Sequence, residues 1–187
     1  MWTALVPLAP PGARKKRLHA CLDAAQRDLL ALSMLDHVGG VLAAEPRISR
    51  RTLVSAAPVA GWDRIGDEGG GLNHALEVAR RSLTRGPLLV IHADLPRLDE
   101  QDIAALLDAA EALGAAIAPD RYGTGTNALA LAGDPQIEFR FGHGSFAAHR
   151  TSLPCAAIVW RRGMAEDLDA PADYEAMQIA SAYTNLH

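Results

Sequence analysis

The chain has 187 residues, of which 49% are hydrophobic and 21% charged, an ordinary composition for a globular protein and not that of a disordered one. Lys and Arg number 18 against 22 Asp and Glu, for a net charge of −4, so sequence-independent binding to nucleic acid is not expected. No apolar run approaches the ~18 residues of a membrane helix, which argues against a partner bilayer.

Thr3 to Val6 is a short apolar run stopped by Pro7, the pattern of a buried strand. A Pro- and Gly-rich loop to Gly12 follows, then the cations Arg14-Lys15-Lys16-Arg17. Leu18, Leu22, Ala25, Leu29, Leu32, Leu35 and Leu42 mark a long helix that Gly39-Gly40 could break. Thr52 to Val54 predicts a second strand, and Pro58 to Gly71 a loop. Leu72 to Leu83 returns to helical spacing. Leu88 to Ile91 is a continuous apolar run, as in a strand covered on both faces. Asp99 is placed to N-cap a helix carrying Ile103, Leu106, Leu107, Ala110 and Leu113, with Gly114 as its C-cap. Ala115–Ala118, Ala128–Leu131 and Ala156–Val159 are further strands, and Ile137 to Phe141 alternates apolar with polar. Pro171 to Tyr183 is a last helix.

Strands alternating with helices predict an α/β sandwich, 1–187 as a single domain, with a mostly parallel sheet and helices on both faces. Such sheets bind ligands beyond the carboxyl ends of their strands. The basic loop after the first strand suits an anion, although it lacks the Walker A spacing, and a solvated basic patch reads equally well. Gly69-Gly70-Gly71 before a helix permits close backbone approach, or serves as a plain connector. Asp94, straight after the strongest strand, is placed to hold a divalent cation against phosphates; its alternative is a turn residue. Asp120 to Asn127 packs small donors into a compact loop. Gly142-His143-Gly144-Ser145 makes another anion-friendly corner, in which His143 reads as a surface residue and Ser145 lacks a nucleophile elbow. Asp167 and Asp169 sit beyond the last strand; in an extended stretch their side chains face opposite ways, so one of them would enter the site. An acid after a central strand, a late second acid, Gly-rich corners and a basic loop describe a metal-assisted nucleotidyltransferase.

The chain resembles the 2-phospho-L-lactate and phosphoenolpyruvate guanylyltransferase family of coenzyme F-420 biosynthesis. The resemblance rests on Val6-Pro7 with Ala13 to Leu18, Gly70 to Leu76, and Ala93-Asp94-Leu95-Pro96. Its most specific parts are Ala118 to Leu129, Phe139 to Phe146 with His149, and Asp167 to Asp173. It implies a nucleotide-diphospho-sugar transferase (GT-A/MobA-like) fold, a three-layer sandwich. It implies Mg²⁺ on Asp94 and Asp167, with Asp169 an alternative ligand, and Lys15 as a catalytic cation. Lys15, Arg17, Gly70, Gly71 and Asn73 would meet GTP, and Thr126, Gly142 and Ser145 the phospho-acid. The acceptor would be 2-phospholactate, phosphoenolpyruvate or 3-phosphoglycerate, and a homodimer is one option for the assembly. The chain departs from the family at Ala9, where Lys is usual, at Ser55-Ala56-Ala57-Pro58, where an Asp is common, and in a short segment before Gly69. A related enzyme with another base or acceptor, a catalytically silent nucleotide-binding protein, and a glycosyltransferase of the same fold are the competing readings. Two cysteines, Cys21 and Cys155, and an N-terminus whose basic cluster follows its apolar stretch, the reverse of a secretory signal, predict a cytoplasmic protein with reduced thiols.

Overall fold

The computed structural model describes residues 1–67, 69–133 and 137–184. Seven strands form one sheet: β1 (Trp2–Leu8), β2 (Ile48–Ser55), β3 (Asp63–Gly66), β4 (Leu88–Ile91), β5 (Ala115–Pro119), β6 (Thr126–Leu131) and β7 (Ala157–Ile158). Their order across the sheet is β3-β2-β1-β4-β6-β5-β7. All neighbours run parallel except β6, which is antiparallel to both β4 and β5. The helices are α1 (Ala24–Ala44), α2 (Leu72–Ser82), α3 (Glu100–Leu113), α4 (Ser145–Ser152), α5 (Arg162–Ala165) and α6 (Pro171–Thr184). Among the described residues no helix is long and apolar enough to cross a membrane.

The three layers follow from the period-two alternation of strand side chains. On β4, Leu89 and Ile91 face one core with Leu35, Val38 and Leu42 of α1 and Ile103 and Leu106 of α3. Leu88 and Val90 face the other, with Ala75, Leu76 and Ala79 of α2 and with Phe139 and Phe141. Each fully buried leucine contributes about 2 kcal/mol, so β4, buried along its whole length, anchors both layers.

Local chemistry sets the helix ends. Asp99 and Asp102 form a reciprocal capping box at the start of α3, and Gly114 closes it with φ 86°, which only glycine adopts without cost. Asp23 and Gln26 do the same for α1, whose first turn is Ala24 and not Leu18; Leu18 lies in a separate 3₁₀ turn. Leu29, expected on the buried stripe, is exposed. Gly39-Gly40 does not interrupt α1. A Cβ on Gly39 would come within 2.7 Å of Trp62 Cζ2, so that glycine admits the indole ring instead of ending the helix. Within the expected 58–71 loop lies β3, a polar edge strand held by its backbone ladder to β2. Residues 137–141 alternate as a strand would but form none; Phe139 and Phe141 plug the core beside α2 from an irregular segment.

Candidate active site

β1 ends at Leu8 and the chain turns through a loop pinned from behind. Arg14 Nε donates to Ala9 O at 2.9 Å, and Gly12 N–H donates to both oxygens of Asp28 on α1. The loop delivers Lys15 in the left-handed region, φ 47° and ψ 41°, the one non-glycine residue with positive φ among those described. That conformation is costly for a side-chain-bearing residue and is held by its partners. Lys15 Nζ donates to Asp94 Oδ2 at 2.5 Å and lies 3.7 Å from Asp169 Oδ1, while Arg17 Nη1 meets Asp169 Oδ2 at 2.5 Å.

Asp94 stands just past β4. Its main-chain O accepts from Leu168 N–H at 3.0 Å, which ties the 167–169 segment beside it. Burial pushes the Asp94 carboxyl upward, but the Lys15 ammonium, His92 and the Lys15 hydrogen bond outweigh it and hold the group below its usual range. Asp167 goes the other way. Burial and the neighbouring charge of Asp94 raise it, opposed by the Asn127 amide, whose Nδ2 donates to Asp167 Oδ1 at 3.3 Å. Two carboxylates that repel each other this way favour a cation between them. Asp94 Oδ1 is buried without a hydrogen-bond partner. An orphaned carboxylate oxygen beside a second carboxylate is the hard donor set that suits Mg²⁺. Among the described residues no three His, Cys, Asp or Glu side chains gather closely enough to hold a metal by themselves. Mg²⁺ would therefore draw part of its shell from water and phosphate, as that ion commonly does.

The sheet topology explains the meeting. Because β6 is antiparallel to β4, the beginning of β6 borders the end of β4, and His92 N–H donates to Asn127 O at 3.0 Å. Asn127 also donates to Met164 O at 2.9 Å, fixing the turn that leads to Asp167. The preceding loop is organised by Asp120, which accepts from the N–H groups of Tyr122, Thr124 and Gly125 and from the Thr124 hydroxyl. Burial raises that carboxyl; these donors outweigh it and lower it.

A cleft of about 610 Å³ opens over the carboxyl ends of β1 and β4, lined among others by Lys15, Arg17, Gly71, His92, Asp94 and Asp169. Thr126, Gly142 and Ser145 gather at a separate corner across β6. There Thr126 N–H donates to Ser145 Oγ at 2.9 Å, and Gly142 (φ 121°) and Gly144 (φ 72°) bend the chain into α4. Asn73 joins the two sides. Its Nδ2 donates to Phe141 O at 3.0 Å and its Oδ1 accepts from Phe141 N–H at 2.7 Å, so both its polar groups are spent on the backbone next to Gly142. Gly70 and Gly71 hold φ 91° and 88° at the start of α2. His143 is exposed. Asp169 lies among the cations and Asp167 against Asn127, so both acids border Asp94 through different partners. Asp120, Arg121 and Asn127 lie in the stretch that the sequence marks as a donor-rich loop, but the chain pattern gives none of them a role of its own; the Arg121 guanidinium holds Asp167 O and Asp173. Asn127 is legible only once β6 is known to run against β4.

Comparison with known proteins identifies the family and the fold. The model of the family described as guanylyl transferase CofC-like matches residues 2–153. A phosphoenolpyruvate guanylyltransferase of Sphaerobacter thermophilus is 39% identical over 92% of this chain and 90% of its own. One from Rubrobacter xylanophilus is 38% identical over 91% and 90%. In three dimensions the chain is similar to a nucleotidyl transferase from Methanothermobacter, with a TM-score of 0.66 over 98% of this chain and 99% of that one at 11% identity, a likeness of fold. The chain belongs to the guanylyl transferase CofC-like family.

Proposed function

We propose that this family member moves GMP from GTP onto the phosphate of phosphoenolpyruvate, the compound in the names of its relatives. Guanylyl transfer to a small phospho-acid, a step of coenzyme F-420 biosynthesis, is its activity. The observation that carries the residue assignment is the pairing of Lys15 with Asp94 in the wall of the cleft, with Asp167 near enough for the charge of Asp94 to raise its carboxyl.

An oxygen of the acceptor phosphate attacks the α-phosphorus of GTP. A new P–O bond forms, the bond to the bridging α,β oxygen breaks, and pyrophosphate departs with that electron pair. The nucleophile is already an anion, so no side chain has to take a proton. The obstacle is repulsion between two highly charged phosphate compounds. Asp94 and Asp167 would hold Mg²⁺, which when bound neutralises phosphate charge. Lys15 and Arg17, already drawn over the acids, would turn toward the triphosphate, as Lys and Arg do at anion sites. Gly70 and Gly71 leave room for close backbone approach, and Asn73 keeps that side in register with Gly142. Thr126, Gly142 and Ser145 would orient the acceptor. Two exposed, unbridged thiols, Cys21 and Cys155, suit a reducing cytoplasm.

The test is pyrophosphate release with GTP and Mg²⁺ against phosphoenolpyruvate, 2-phospholactate and 3-phosphoglycerate, with the guanylylated product weighed by mass spectrometry. Preference for phosphoenolpyruvate is expected. Preference for either other acid would overturn the choice of acceptor.

A further inference from the structure

His149 is buried in α4, at 0% exposure, behind the corner that holds Thr126 and Ser145. The proposed reaction gives it no role. Its hydrogen bonds fix its chemistry. Nε2 faces the backbone N–H of Arg140 at 3.2 Å. A backbone N–H can only donate, so Nε2 must be the acceptor, and the ring must be neutral with its proton on Nδ1. Nδ1 lies 3.0 Å from Thr126 Oγ1, which therefore accepts from it. Burial first, then His92 and Arg140, hold the imidazole down to about 4, in agreement with a neutral ring.

The consequence passes to the hydroxyls. Thr126 Oγ1 accepts from His149, and Ser145 Oγ accepts from Thr126 N–H. Each hydroxyl hydrogen is thereby turned away from the groups that fix its oxygen. Neither has an acceptor among the described residues, although both side chains lie in residues only 2% exposed. Buried polar hydrogens without an acceptor are rare in folded proteins and call for a partner, whether water, an ion or a ligand oxygen. Phe141 packs edge-on against His149, ring centres 4.9 Å apart, and its backbone is clasped by Asn73, so the ring cannot rotate to swap its nitrogens freely.

We infer that His149 is a positioning residue: its Nδ1–H commits the Thr126 oxygen as an acceptor and so presents the Thr126 hydroxyl as a donor, beside the Ser145 hydroxyl that the Thr126 N–H orients, to an anionic oxygen of the phospho-acid. This rests on the reading that the acceptor sits at Thr126 and Ser145. It adds a reason for selectivity. A corner that presents two hydroxyl donors favours a phosphate or carboxylate oxygen over an ammonium, which has no lone pair to receive them.

The experiment has two parts. ¹⁵N NMR of the imidazoles in the intact protein should show His149 as the neutral Nδ1–H tautomer; an Nε2–H tautomer, or an imidazolium near neutral pH, overturns the inference without any variant. Steady-state kinetics with GTP and phosphoenolpyruvate then compare His149→Phe, His149→Asn, Thr126→Val and the His149→Phe/Thr126→Val pair. His149→Phe should raise the KM for phosphoenolpyruvate about tenfold, the scale of one hydrogen bond to a charged group, and leave the KM for GTP unchanged. His149→Asn, whose amide nitrogen replaces Nδ1–H, should recover most of that loss. The double variant should be no worse than Thr126→Val alone. Equal rises in both KM values, or additive losses in the pair, would show a merely structural histidine. If Thr126→Val itself leaves the phosphoenolpyruvate KM unchanged, the placement of the acceptor fails. A raised KM in Thr126→Val beside an unchanged one in His149→Phe sinks the positioning role alone.

Discussion

Lys15 Nζ lies 2.5 Å from Asp94 Oδ2, while the other oxygen of the same carboxylate, Oδ1, is buried with no partner. The ammonium therefore takes up half of a carboxylate that the proposed chemistry assigns to a divalent cation. On the proposed chemistry, loading Mg²⁺ and engaging the triphosphate would be one exchange, in which Lys15 would give up Asp94 for phosphate.

Lys15→Met should leave the partly buried Asp94 carboxylate without its counter-charge. Losing a hydrogen bond to a charged group costs about 2 kcal/mol, so the melting temperature should fall by a few degrees. Mg²⁺ should then stabilise the variant more than it stabilises the wild type, as followed by thermal melts across a magnesium titration. Equal magnesium effects in the two proteins would contradict the exchange.

Asp94→Asn should lower kcat about a thousandfold, which corresponds to the several kcal/mol that metal charge supplies to phosphoryl transfer. The fold should survive, because the change is nearly isosteric. Far-UV circular dichroism alongside the pyrophosphate assay checks both halves.

Asn127→Leu removes the one side-chain donor to the Asp167 carboxylate among the described residues, the first of the groups that oppose burial and the charge of Asp94. The Asp167 carboxyl should rise further, and the acid limb of the kcat/KM profile should move to higher pH. A limb that stays in place would mean that ionised Asp167 is not required.

His149 predicts a pH dependence of stability. Its folded value is about 4 and its ordinary value 6.5. The unfolded chain takes up the proton first as pH falls, so stability is full above 6.5, declines toward 4, and levels off below that. The loss is at most about 3 kcal/mol. His149→Asn should lack this component, and the difference in melting temperature between pH 7 and pH 4.5 should shrink accordingly.

Gly163→Ala should destabilise the protein by about 3 kcal/mol, the scale of core overpacking. The added Cβ would stand 2.6 Å from Arg97 O and collide with the Asp102 carboxylate, which is paired with Arg161. A variant that melts within a degree of the wild type would show that the α5 turn yields.

Much of this was legible in the sequence because it is written locally. The run Leu88–Ile91 needs no neighbour to be read as a buried strand, and Asp94 follows it directly. Asp99 and Gly114 mark both ends of α3 by capping chemistry alone. What escaped depends on distant partners. β3 has no apolar pattern, since an edge strand of Asp63-Arg64-Ile65-Gly66 is held by backbone bonds to β2. Gly39 reads as a helix breaker until Trp62 is seen to fill the space beside it. Phe139 and Phe141 alternate like strand residues, yet they are fastened by Asn73 and Glu77 of α2 instead of by a ladder. Asn127 owes its place beside Asp167 to the reversed direction of β6, which no local pattern announces.

That reversal also partitions the chain. Everything bordering the cleft, apart from Asp169, arrives before residue 95, whereas the corner at Thr126 and Ser145 is assembled entirely afterwards. On the proposed placement of the reactants, changes confined to the Thr126–Ser145 corner would retune the smaller one while Lys15, Asp94 and the cleft wall stay as they are, so long as Asn73 keeps its grip on Phe141.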